Sequence, residues 1–157
     1  MNSSALLRAL ATDSTDTSFT AKAPTATEPS GAGVFNAEGC EEMQFFPYGT
    51  GADNDTFNIQ VIGWRKYGGG QTTLWIPVEI ATLACTFGTQ VGVANSDITT
   101  SHRFADTITL TSGIAVIPSI TANTCGYFLV DLSKYAKVEI LFDRVLATAC
   151  NALLAKD

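Results

Sequence analysis

The stretch FNIQVIGWRKYGGGQTTLWIPVEIATLACTF, from Phe57 to Phe87, decides the fold class. Phe57, Ile59 and Val61 alternate with Asn58 and Gln60, the period-2 pattern of a strand with one buried face. At Ile62-Gly63-Trp64 the apolar face changes, and a glycine inside a strand commonly marks a bulge. Leu74, Ile76, Val78 and Ile80 then share a face before Leu83, Cys85 and Phe87 take the other, which predicts a second phase slip near Ala81-Thr82. Gly68-Gly69-Gly70 joins the two runs through a loop longer than a two-residue hairpin turn. No Lys-Ser/Thr follows these glycines and no helix opens after them, so they form no phosphate loop.

The same pattern extends on both sides. CEEMQFFPY (residues 40–48) ends at Pro47 and a polar turn. RFADTITLTSG places Phe104, Ile108 and Leu110 on one face, with Asp106 as an odd member, and IAVIPSI continues as a short strand or strand end broken by Pro118. Two more strands fall at 127–132 and 137–143, the second with Val138, Ile140 and Phe142 as its inward stripe. The tail RVLATACNALLAKD has the Ala and Leu content of a helix, but a closing strand is expected, because a tertiary partner overrides propensity. Seven or eight short strands without a long amphipathic helix predict an all-β fold, a β-sandwich with a jelly roll as first choice, over residues 34–157.

Residues 1–33 differ in kind. ATDSTDTSFTAKAPTATEPSGAG is Thr, Ala, Ser, Pro and Gly with Phe19 as its one aromatic, too little apolar surface to offset its own ordering entropy. SALLRAL is long enough for one or two helical turns, which are marginal in isolation. The expectation is an extended or disordered N-terminal arm, either a free leader or a segment that orders against a neighbouring subunit.

Composition narrows the function classes. The chain has 157 residues, enough for one domain with a real core, and is 46% hydrophobic but only 15% charged. So little charge points to wide surfaces covered by protein. The net charge is −6 and no Lys/Arg cluster occurs, which argues against nucleic acid as a partner. No apolar run approaches the roughly 20 residues of a membrane span, so no membrane association is expected. The start MNSSALLRALATDST has a short apolar run interrupted by Arg8 and does not read as a secretory signal. Cys40, Cys85, Cys125 and Cys150 are far apart, with no CxxC pair, and are expected as reduced, buried thiols.

Candidate chemistry is sparse. His102, in SDITTSHRFAD, could be drawn into a triad with Ser101 and Asp106, but triad members normally converge from separate elements, and the residue reads as a solvated loop histidine. Asp53, Asn54 and Asp55 offer hard oxygens of the kind calcium takes, and equally the residues that turns require. A glycosidase pair would have to come from Glu41, Glu42, Glu79 and Asp106, which read better as strand-edge charges. Trp64, Tyr67 and Trp75 flank the glycine loop and could stack on a sugar, or pack on one another. No catalytic residue, cofactor or metal is therefore expected.

FNIQVIGWRKYGGGQTTLWIPVEIATLACTFGT, RFADTITLTSG and GYFLVDLSKYAKVEILFD, behind a low-complexity arm, together resemble the capsid decoration (cement) proteins of tailed bacteriophages, in style across residues 35–155. The resemblance implies a structural protein rather than an enzyme. It would be a homotrimer on the outside of an icosahedral capsid, bridging copies of the major capsid protein and assembled in the host bacterial cytoplasm. Apolar residues on both faces of TLWIPVEIATLACTF and KVEILFD fit such an intersubunit role, with Ile76 and Leu141 as interface candidates. Two other readings remain open. One is a carbohydrate-binding jelly roll of a phage tail or fibre, with Trp64, Tyr67 and Trp75 as platform. The other is a small hydrolase needing two of Glu79, Asp106 and His102 in one pocket.

Overall fold

Strand-forming runs fill the body of the chain, and the computed structural model, which describes residues 5–8, 13–69, 72–94, 98–121 and 123–156, turns them into nine strands. These are β1 (Ala5–Arg8), β2 (Val34–Asn36), β3 (Glu42–Thr50), β4 (Thr56–Tyr67), β5 (Leu74–Val91), β6 (Arg103–Gly113), β7 (Phe128–Asp131), β8 (Lys137–Arg144) and β9 (Ala149–Lys156). All pair antiparallel in one sheet, ordered β1-β9-β3-β6-β5-β4-β8-β2, with β7 added to β3. The sheet curls into a half-barrel, so the expected all-β, jelly-roll-like class is the one found, its two layers being halves of one curled sheet. No helix occurs among the described residues. Pairing with β3 from Thr50↔Ala149 to Met43↔Lys156 makes the Ala- and Leu-rich tail a strand against its propensity. Ala5–Arg8, within the SALLRAL run that is marginal as a helix, form β1 and pair with β9.

Alternation explains the core. Phe57, Ile59 and Val61 of β4, Leu83, Cys85 and Phe87 of β5, and Val138, Ile140 and Phe142 of β8 all point inward and are buried together. Met43 and Phe45 of β3 join them, with the Phe45 and Phe128 rings stacked at 4.8 Å.

The two phase slips resolve into one bulge. Val61 pairs with Ala81 and Ile62 with Glu79, so Ile80 is the extra residue on β5. β4 does not flip at Gly63. The glycine sits where the Tyr135 ring covers the sheet, and a Cβ there would come within 2.6 Å of three ring atoms. Nor do Leu74, Ile76, Val78 and Ile80 form a common buried face: of these only Ile80 is buried, and Trp75 is the deeply buried residue of that segment.

Residues 13–33 explain why. They form a strap over the outer side of β8, β4 and β5. Ser14 exchanges two backbone hydrogen bonds with Cys150, of 2.8 and 3.0 Å, and the Arg144 N–H donates to Asp16 O at 2.9 Å. Phe19, Thr20, Ala21 and Lys22 then border an open hollow with Gln60, Ile62, Pro77 and Glu79. Thr25 and Trp75 exchange a further backbone pair, and Lys137 binds Glu28 at 3.0 Å before the chain turns into β2.

Candidate functional site

The residues singled out in the sequence are scattered by the fold. Trp64 and Trp75 are each only 4% exposed and form a small outer-face cluster with Ile62, against which the half-buried Leu141 packs. The Trp64 indole N–H donates to Glu139 Oε2 at 2.9 Å, and Lys22 of the strap binds Glu139 Oε1 at 2.8 Å. Tyr67, 69% exposed, stands apart from both indoles in burial, and Ile76 is half-buried. An exposed three-ring sugar platform is therefore not formed, because the strap occupies the ground that a sugar would need. Ile62, Trp64 and Trp75 are met by the chain's own residues, so the apolar second face in this part of the sheet does not by itself call for another subunit.

His102 is buried rather than solvated. Its Nδ1 accepts the Thr99 N–H at 2.8 Å, which leaves the proton on Nε2 to be donated to Asp13 Oδ2 at 2.8 Å. Tyr48 meets the ring edge-on at 5.1 Å. Ser101 hydrogen-bonds with Thr99 at 2.7 Å and Asp106 with Thr107, so the Ser101-His102-Asp106 arrangement is not assembled. His102 serves as an anchor for the strap.

The carboxylates are also kept apart. Glu41 and Glu42 line an open hollow with Asp131 and Ser133. Glu79 accepts the Thr82 hydroxyl at 2.8 Å, and Asp106 lines a separate polar hollow beside Thr121 and Asn123. Asp53 is bound by Arg103, Asp55 accepts the Ala52 N–H at 2.7 Å, and Asn54 takes a φ of 68°. These residues build a turn, and no cluster of three or more His, Cys, Asp or Glu side chains fit to hold a metal occurs among the described residues. All four cysteines are thiols. Burial pushes the Cys85 thiol up, and burial followed by the charges of Asp13 and Asp16 pushes Cys150 up to about 12.

A different feature stands out on the opposite flank of β5. β6 pairs with β5 along its length, but with β3 only at Phe104 and Arg103. Ala105 O accepts the Gly126 N–H at 2.7 Å, and beyond it the outer edge of β6 from Asp106 to Gly113 makes no backbone hydrogen bond among the described residues. Bulges at Asp106 and Thr111 interrupt its pairing with β5. Gly88 is required at the first of these, since a Cβ there would lie 2.3 Å from Asp106 Oδ2. At the far end Ile114 is 80% and Val116 59% exposed. Next to them lies a hollow of about 270 Å³ lined by Glu79, Ile80, Gly113, Ile114, Asp131, Lys134 and Tyr135. Two Ser133 hydrogen bonds hold the Asp131 carboxyl below its usual range, first among them the backbone N–H donation at 2.9 Å. Sequence reading placed β6 but not its openness, which depends on which strand lies beside it.

No protein-family model, curated protein or solved structure matches the chain.

Proposed function

We propose that this chain is a structural virion protein, a decoration protein that docks on the outside of a tailed-bacteriophage capsid and bridges its subunits. The observation that carries the reading is the open outer edge of β6, beside the exposed Ile114 and Val116. An uncapped strand edge with apolar side chains at its end is a surface for binding other protein. The strap supports the same reading from the other side, since it covers Ile62, Trp64 and Trp75 on the outer face and leaves the β6 flank open to a partner. Low charge and acidity fit a protein that sits on the outside of a shell, away from packaged DNA.

Co-sedimentation of the purified protein with assembled capsids of the bacteriophage that encodes it tests the proposal. Saturable binding and greater resistance of the decorated shells to heat are expected. Capsids that sediment without the protein, at concentrations well above micromolar, would overturn it. The resemblance further implies a homotrimer, which the native mass of the free protein decides.

A further inference from the structure

We infer that the outer edge of β6 takes up, by strand addition, an extended segment of another protein that runs antiparallel to it and carries a Lys or Arg at its N-terminal end. The inference rests on the decoration reading only for who donates the strand, a capsid subunit.

The backbone argues for the mode of binding. Among the described residues the strand from Asp106 to Gly113 has a ladder partner on one side only, so its outward N–H and C=O groups are a template for one more strand. The segment DTITLTSG holds no Lys, Arg or Pro, the residues with which edges are commonly blocked. Antiparallel addition continues the hand of the existing sheet and pairs slightly better than parallel.

Side chains argue for the chemistry of the donor. Ile108 and the partly exposed Leu110 lie on the inner side of β6, and Ile114 follows at the hollow. A donor that alternates apolar and small polar residues would continue this face. Its N-terminal residue comes to rest by Gly113. There Glu79 and Asp131 stand against Lys134, with Arg65 over the Tyr135 ring at 5.5 Å, and Glu41 and Glu42 lie beyond Asp131. A cation at that point is favoured.

The same charges argue against a second copy as occupant. Pairing two β6 edges antiparallel about a two-fold axis sets Asp106 of one chain opposite Gly113 of the other, adding a carboxylate to an acidic rim. A net charge of −6 on each copy opposes the approach further.

The test uses the full chain and amide hydrogen exchange. The probe is the peptide acetyl-Lys-Val-Thr-Val-Thr-Val-Thr-amide, with two controls: Glu in place of Lys, and alternate backbone N-methylation. The Lys peptide should slow exchange of the outward amides between Thr107 and Ser112 by about tenfold. The methylated peptide should leave them unchanged and the Glu peptide should act far more weakly. Leu110→Lys, an inward charge beneath the added strand, should abolish the effect while the chain stays folded. Equal protection by the Glu peptide, protection elsewhere or no protection overturns the inference. Amides already protected without peptide, in a protein sedimenting as a dimer, would make the occupant a second copy and overturn it too. Because no capsid enters this experiment, protection by the peptide alongside failed capsid binding would refute the decoration reading and leave strand addition standing.

Discussion

Lys22→Met and Glu139→Gln, made singly and together, measure how firmly the strap is seated. Glu139 is 8% exposed and satisfied twice, by the Trp64 indole and by the Lys22 ammonium. Removing Lys22 leaves a buried carboxylate with one donor, whereas removing the charge of Glu139 keeps an oxygen for the indole and strands the ammonium. Breaking a fully buried ion pair costs about 3–5 kcal/mol, and exposed pairs are worth about 0.2–1 kcal/mol. The Lys22 side chain is 26% exposed and that of Glu139 11%, so the pair belongs between these limits. A coupling energy of about 1.5–2 kcal/mol follows for the double-mutant cycle. Each single variant should melt about 3–8 °C below the wild type, at about 2–4 °C per kcal/mol for a chain of this size. Thermal or urea unfolding provides the measurement, repeated at high salt, where a shielded pair keeps most of its coupling and a surface pair loses it. Coupling under about 0.3 kcal/mol would show that Lys22 does not rest on Glu139 in solution, and the covered outer face would need another explanation.

Gly63→Ala should destabilise by about 2–3 kcal/mol, because its methyl meets the Tyr135 ring. The same substitution in a Tyr135→Ser background should cost much less, and equal costs in the two backgrounds would refute the clash. Alkaline pH should weaken the fold through Cys85 and Cys150. Their raised folded pKa values keep both thiols protonated while the unfolded chain ionises, so stability falls as pH rises above the ordinary thiol value of 9.0 and, for Cys150, levels only near 12. Each thiol contributes a slope of about 1.4 kcal/mol per pH unit in that window, and Cys150→Ala should remove one such share in urea titrations at pH 9–11; an unchanged slope would refute it.

What could be read in advance divides along the reach of the interactions. Val138, Ile140 and Phe142 reveal their inward face by local alternation alone, and Asp106, out of phase with its neighbours, is the extra residue of a bulge. Ile62, Trp64 and Trp75 have a local pattern that says only that a second face is apolar. What covers it is a segment whose own composition predicts no fixed structure, and which gains order from distant residues such as Glu139, Trp75 and Lys137. His102 likewise looks like a loop residue until Asp13, 89 positions earlier, is placed beside it. The edge of β6 is invisible for a related reason. Its residues specify a strand, but only its short pairing with β3, at Phe104 and Arg103, leaves the rest of that side without a ladder among the described residues.

The hydrogen bonds between Ser14 and Cys150 join residues 136 positions apart, so this anchor of the strap is made long after Ser14 itself. At about 5–20 residues per second, Ser14 joins the growing chain roughly 7–27 s before Cys150 does. During that interval Ser14 has no seat, and an apolar residue in its place would be free to join any neighbouring nascent chain. Its Thr, Ser, Ala and Pro composition keeps it soluble while it waits. The same residues that make the strap look structureless on paper thus protect the order of assembly: β9 must be laid down before Ser14 can be seated against it.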